Sequence, residues 1–160
     1  VPQTTPAATL TYRAWQRVSK LPLGPRLFSA AAVLRVPYFG TVLPTVEEMR
    51  PGLARVRAPK WWGVHNHIGT FHAIAVCNMA EIAMGMLAEA TVPTTHRWIP
   101  AGMTVAYTAK ATTSLTAVAT AAVPDFGPTP FDHAVAVSVR DRADKEVATA
   151  TITIRVSPTT

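Results

Sequence analysis

Apolar positions in this chain change their period once, and the change divides it. From 71 to 90 the sequence reads FHAIAVCNMAEIAMGMLAEA. It is apolar on nearly every side of a 3.6-residue repeat, which predicts a helix surrounded by protein. Thr70 is placed to cap that helix, which runs to about Ala90, some 20 residues or roughly 30 Å. Beyond it the period falls to two. Met103, Val105 and Tyr107 alternate with Thr104, Ala106 and Thr108, and Val135, Val137 and Val139 with Ala136, Ser138 and Arg140. Ala148, Ala150, Ile152 and Ile154 alternate with Thr149, Thr151, Thr153 and Arg155, while 115–123 is rich in Ala, Val and Thr. Such alternation predicts an antiparallel sheet with one buried face, its last two strands joined as a hairpin through 140–145.

Ahead of the long helix, residues 1–8 read as a disordered lead. A short helix is expected over 10–20, with Leu10, Ala14, Trp15 and Val18 on one side, and a second over 26–35 with Pro25 near its first position. Segments 38–46 and Leu53–Ala58 read as strands, and 61–69 as a loop. The predicted organisation is an N-terminal extension of short helices, 1–38, lying against the outside of one α+β domain, 39–157. One arrangement buries both the long helix and the apolar sheet face: the sheet curls around the helix.

Hydrophobic residues make up 49% of the 160 positions and charged ones only 15%, enough for one core with a surplus. The surplus reads either as a subunit interface or as an alanine-rich interior. A single cysteine, Cys77, excludes a disulfide framework and reads as a small buried filler. Asn78, Glu81 and Glu89 within 73–90 argue against a membrane span, and no secretory signal is visible ahead of Leu10, so a soluble cytoplasmic protein is expected. Net charge is +6, from basic residues that are scattered apart from Arg50, Arg55, Arg57 and Lys60. That group is either a solvated strand face or a patch for phosphates. It follows no helical face and no nucleic-acid motif, so no nucleic-acid partner is expected.

The candidate chemistry sits where the loop becomes the long helix. Glu81 is a carboxylate in an apolar segment, costly to bury unless paired or neutralised, and could serve as base or nucleophile. The first N–H groups of the helix lack intrahelical partners and favour developing negative charge. Asn66 adds a neutral amide that can donate to a carbonyl or hold a water. His72 and Glu81 are nine residues apart, or about 900° of helix, so they point to opposite sides roughly 13 Å apart along the axis. A single chain cannot bring both to one atom; two chains related by a two-fold axis can. His65, His67 and His72 could supply imidazoles to a metal, but loop hydrogen bonding accounts for them better, and no metal or cofactor is expected. Trp61-Trp62 reads as a packing or interface anchor.

Asn66, then His72, then Ala80-Glu81 in an alanine-rich helix resembles the pattern of hotdog-fold acyl-CoA thioesterases of the phenylacetate-degradation type. The resemblance covers about 40–156; residues 1–38 lie outside it and resemble the N-terminally extended branch. It implies a hotdog fold and a thioester hydrolase acting on acyl-CoA as a homodimer or dimer of dimers. Asn66 and the N–H of Ala73 would polarise the thioester, with His72 between them, and Glu81 of the partner subunit would drive hydrolysis. Gly69, Thr70 and Phe71 would line the substrate, and Arg55, Arg57 and Lys60 would hold the cofactor phosphates. The pattern usually has two glycines after the histidine, where this chain has Ala73-Ile74. Two alternatives stand beside this reading. One is a hotdog protein that binds acyl groups or acyl-CoA without turnover. The other is a hotdog dehydratase using His67 and Glu81, although the Phe-Pro and Pro-Gly pattern of that loop is missing here.

Overall fold

The computed structural model describes residues 7–159. Its centre is helix α3, Ala73–Thr91, in which Met79, Ile82, Met84 and Leu87 are fully buried, each contributing about 1.5–3 kcal/mol of apolar burial. Around it runs one antiparallel sheet of six strands: β1 (Thr45–Arg50), β2 (Leu53–Ala58), β3 (His96–Tyr107), β4 (Leu115–Thr120), β5 (Phe131–Arg140) and β6 (Glu146–Pro158). The strand order is β1-β2-β4-β5-β6-β3. The inner face is built from Ala54, Val56, Ala58, Ala117, Ala119, Val135, Val137, Ala150, Ile152 and Ile154, all buried. Small and β-branched side chains at these positions let the sheet approach and curve over a helix that is itself rich in alanine. The β5–β6 hairpin turns through Asp141, whose Oδ1 accepts from the N–H groups of Ala143 (2.9 Å) and Lys145 (3.0 Å).

Two further helices, α1 (Leu10–Val18) and α2 (Gly24–Arg35), pack on one another and on the sheet–helix body. Trp15 of α1 meets Phe28 of α2 edge-on at 5.2 Å, and both are buried. Leu10 and Ala14, expected on the buried side of α1, are exposed: Trp15 sets the inward direction, and Tyr12 and Val18 flank it. Pro25 lies in the first turn of α2. The Ser29 hydroxyl accepts from the N–H of Val46 at 2.8 Å, tying α2 to the first strand. Of the lead expected to be disordered, residues 1–6 lie outside the described residues. Ala7 is held, its carbonyl accepting from Thr94 N–H at 3.0 Å.

Segment 38–46 departs from expectation. Pro37–Val42 forms a 3₁₀ turn and the strand begins only at Thr45. Pro37 fixes φ in a helical value at the first position, the Thr41 hydroxyl donates to the Tyr38 carbonyl at 2.8 Å, and Leu43 turns left-handed with φ 50°. Strand β3 starts seven residues before the alternation that revealed it and contains Pro100. An edge strand tolerates the missing donor, and the register breaks between Pro100 and Gly102. The alternating side chains Met103 and Tyr107 are not covered in the single chain; both are exposed.

Candidate active site at the start of the long helix

Asn66 organises the loop before α3. Its Oδ1 accepts from the N–H groups of Ile68 (3.1 Å) and Thr70 (3.0 Å), and its amide donates to the Thr70 hydroxyl at 2.8 Å. The backbone closes the same turn, Asn66 N–H donating to the Thr70 carbonyl (2.9 Å) and Gly69 N–H to the Asn66 carbonyl (3.0 Å). Gly69 supplies the left-handed residue this needs, at φ 75°. Two N–H donors on Oδ1 fix which way the amide points. An amide carries two N–H bonds, and only one is used by the loop.

Thr70, expected to cap α3, is occupied by Asn66 instead. The cap is His72, whose Nδ1 accepts from the N–H of Ile74 at 3.1 Å. His72 N–H donates to the Val64 carbonyl (2.7 Å) and Phe71 N–H to the Ala111 carbonyl (2.8 Å), so the loop is anchored on both sides of the helix start. Among the described residues the N–H of Ala73 donates to no group, as expected of a first-turn orphan. Asn66, Thr70, Phe71 and Ala73 line one cavity of about 160 Å³, together with Tyr107 and Lys110. Those last two carry no sequence signal: Tyr107 ends an alternating strand, and Lys110 lies in a run of Ala and Thr.

Tyr107 Oη is 3.3 Å from the Ala73 carbonyl, to which it donates, and 3.1 Å from Cys77 Sγ. The Cys77 bond, with burial adding to it, pushes the phenol up to about 12. Cys77 is therefore a half-buried partner of Tyr107 at the surface, and not the buried filler expected.

Glu81 corrects the expectation of an enclosed carboxylate: it is exposed in the single chain. The reason is helical phase. Ile74, Cys77 and Glu81 fall on one stripe of α3 that the sheet leaves open. Towards the C-terminus the stripe is covered by Trp98, which packs beside Gly85 and donates to Glu89 Oε1 at 3.3 Å. Glu81 lines a separate cavity of about 310 Å³ with Pro100, Gly102, Met103 and Ile152. It lies eight residues past Ala73, about 12 Å along the axis. One chain thus brings Asn66 and Ala73 together and holds Glu81 apart.

The basic residues fall elsewhere. In β2 the buried set is Ala54, Val56 and Ala58, so Arg55 and Arg57 stand on the outer face. Arg55 faces Glu48 at 3.9 Å. Arg57 borders a cavity of about 610 Å³ with Arg26, Leu43 and Glu47. Lys60 is held through its backbone N–H to the Ser114 hydroxyl, 3.3 Å. None of the three lines the Asn66 cavity. His65 and His67 are exposed, Trp61 packs against the core and Trp62 is exposed.

The family described as a domain of unknown function, DUF4442, matches residues 24–156. The chain belongs to the DUF4442 family. No curated protein matches it. Among solved structures, the genomics target APC5556 is 42% identical, with a TM-score of 0.83 over 94% of this chain and 100% of that one. A Pseudomonas aeruginosa protein, PA5026, described as a probable thioesterase, is 20% identical with a TM-score of 0.72, over 87% of this chain and 97% of that one. A variant of the thioesterase SAV0944 from Staphylococcus aureus is 17% identical with a TM-score of 0.67, over 76% and 99%. At the last two identities the likeness is one of fold: this DUF4442 chain shares a long helix and an antiparallel sheet with thioesterase-family proteins of hotdog-like fold.

Proposed function

We propose that this DUF4442 chain hydrolyses an acyl thioester, with acyl-CoA the leading class, at a site shared between two copies of the chain. Asn66 presents its spare amide N–H, and Ala73 its orphan backbone N–H, to the thioester carbonyl. As the tetrahedral intermediate forms, its oxyanion is held by these two donors. Glu81 of the partner subunit takes a proton from the attacking water, and the intermediate collapses by breaking the C–S bond, the proton passing to the departing thiolate. Alternatively the partner's Glu81 attacks the carbonyl and expels the thiolate, and water then hydrolyses the mixed anhydride to free acid and Glu81.

The observation that carries this reading is the division of the parts. Asn66 and Ala73 line one cavity, and Glu81 lines another on an uncovered stripe. A two-fold partner that covers the stripe can deliver each Glu81 to the other chain's Asn66. Support for the dimer comes from β3, a twelve-residue end strand with one unpaired edge among the described residues. On its helix-side face Met103 and Tyr107 are exposed, as is Ile74 of α3, an apolar strip of the kind an interface covers. A homodimer meets this requirement, and a dimer of dimers keeps it. Further support comes from two solved variants of the Staphylococcus aureus protein. They replace a glutamine and a glutamate fifteen positions apart, the separation of Asn66 and Glu81.

The test is complementation. Asn66→Asp and Glu81→Gln chains are each expected to be inactive towards acyl-CoA in a thiol-release assay. When they are refolded together in equal amounts, half of the dimers are heterodimers, each with one of its two sites whole, so about a quarter of wild-type activity returns. Two inactive variants whose mixture stays inactive, while native mass spectrometry shows heterodimers, refute the shared site.

Binding without turnover is the second reading, favoured by the side chains of Ala73 and Ile74 at the helix start, Ile74 being exposed there. Acyl-CoA binding by wild type with no thiol release selects it. We also place the protein in the cytoplasm, where acyl-CoA is formed, a proposal that imaging of a tagged chain tests.

A further inference from the structure

We propose that Lys110 holds an anionic group of the thioester substrate: a phosphate of the carrier, or a carboxylate carried by the acyl part. This rests on the hydrolase reading above and assigns the charge recognition of the same site to a residue outside the Asn–His–Glu pattern.

Among the described residues Lys110 is the only charged residue lining the Asn66–Ala73 cavity, and no Asp or Glu lines it. Lys110, like most basic residues of this chain, makes no ion pair among the described residues. Its backbone is fixed against the site. Ala111 next to it accepts from Phe71 N–H at 2.8 Å, and Ala109 on the other side donates to the Val147 carbonyl at 3.3 Å. Ala111 is buried while Lys110 is exposed, so Lys110 stands at the rim of the cavity on a backbone tied down on both sides.

The cavity holds about 160 Å³, with Phe71, Val76, Ala111 and Val147 among its walls. That admits only a few heavy atoms before the substrate must emerge past the rim. A thioester seated on Asn66 and Ala73 therefore carries one of its two arms past Lys110. An ammonium with no internal partner there favours an arm bearing negative charge. Arg55 and Arg57, on the outer face of the sheet, cannot serve this position.

Three thioesters separate the sources of charge: a neutral short acyl group on N-acetylcysteamine, the same acyl group on coenzyme A, and an acyl group ending in a carboxylate on N-acetylcysteamine. Lys110→Ala is expected to raise KM about tenfold for at least one charged substrate. KM for the neutral one should stay within about twofold, and Lys110→Arg should restore the charged one. A rise on the coenzyme A ester assigns the phosphate, and a rise on the carboxylated ester assigns the carboxylate. Equal KM values for all three substrates in wild type and Lys110→Ala overturn the proposal, as does an equal loss on the neutral ester. Titration calorimetry with coenzyme A and with the carboxylated thioester on the Glu81→Gln protein needs no turnover. Lys110-dependent binding beside a wild type that releases no thiol refutes the hydrolase and keeps the Lys110 contact. Binding of both ligands that is indifferent to Lys110→Ala, or no binding of either, overturns it.

Discussion

Asn66→Asp separates the loop-building role of Asn66 from its catalytic one. In the folded chain the Oδ1 of Asn66 accepts two backbone N–H bonds and the amide gives one bond to Thr70. A carboxylate keeps both acceptor contacts, and the Thr70 hydroxyl can rotate to donate to its second oxygen. Stability should then change by less than about 1 kcal/mol. Asn66→Ala deletes all three bonds, worth about 0.5–1.5 kcal/mol each; because the loop is half-exposed, a total loss of about 1–3 kcal/mol is expected. Activity should follow a different order. Aspartate has no N–H for the thioester carbonyl and sets a negative charge beside the developing oxyanion. Removing one such donor costs about 10²–10³ in kcat, or 2.7–4 kcal/mol. Urea melts give the stability, and a thiol-reactive dye with acyl-CoA gives the rate. The reasoning fails if Asn66→Asp keeps its rate within about fivefold of wild type. It also fails if both variants lose activity only in proportion to their unfolded fraction.

Three other outcomes are expected. His72→Ala removes the cap of α3 and should cost about 0.5–2 kcal/mol, while His72→Asn, another capping residue, should recover most of it in the same melts. Tyr107 is pushed up to about 12 from 10; above pH 10 the unfolded chain releases that proton while the folded chain holds it. Stability from this group is thus complete below pH 10 and falls between about 10 and 12. Tyr107→Phe should flatten that part of a melting-temperature profile and remove the latest step of the 295 nm titration; an unchanged profile contradicts the Cys77–Tyr107 pairing. Gly52 sits at φ 78° in the β1–β2 turn, where an added Cβ would lie 2.8 Å from the Ala121 carbonyl. Gly52→Ala should therefore destabilise by more than about 1 kcal/mol, read as a shift of the urea midpoint.

The long helix, the β5–β6 hairpin and β2 were legible because burial there is complete on one face and periodicity reports burial. Leu53–Ala58 alternates in sequence and in the structure, Ala54, Val56 and Ala58 being buried. Legibility fails where another force decides. Over 37–42 a proline and a local Thr41–Tyr38 bond win over residues that suit a strand. At Thr70 the competing partner, Asn66, is four residues upstream and invisible to a capping rule that looks only downstream. In β3 the alternation is real but its face is open in the single chain, so a pattern that signals burial in β5 and β6 signals an unpartnered surface here. Of the candidate site, the loop–helix junction was readable from Asn66 to Ala73. Tyr107 and Lys110 were not, because they arrive through the fold and not through spacing.

The two glutamates of the helix show why residue type could not finish the argument. Glu81 and Glu89 both interrupt the same apolar run, and both present the same problem of a carboxylate among methionines and alanines. They are eight residues apart, about 80° around α3, and so lie on one broad flank of it. The sheet distinguishes them. At Glu89 the face is closed by Trp98, whose indole N–H donates to one oxygen of the carboxylate; that pairing gives Glu89 a structural role. At Glu81 the face is open, and no side chain among the described residues pairs with it. A carboxylate needs no partner in water, so Glu81 costs the isolated chain nothing. The apolar strip around it is what demands covering, and covering it desolvates Glu81 unless the incoming surface brings hydrogen-bond donors. The cavity at the start of α3 has two unspent donors, the second amide N–H of Asn66 and the N–H of Ala73. A two-fold contact that sets those donors and Glu81 around one small polar substrate answers both demands at once. A contact that buried Glu81 against apolar surface would leave the carboxylate unpaired and answer neither.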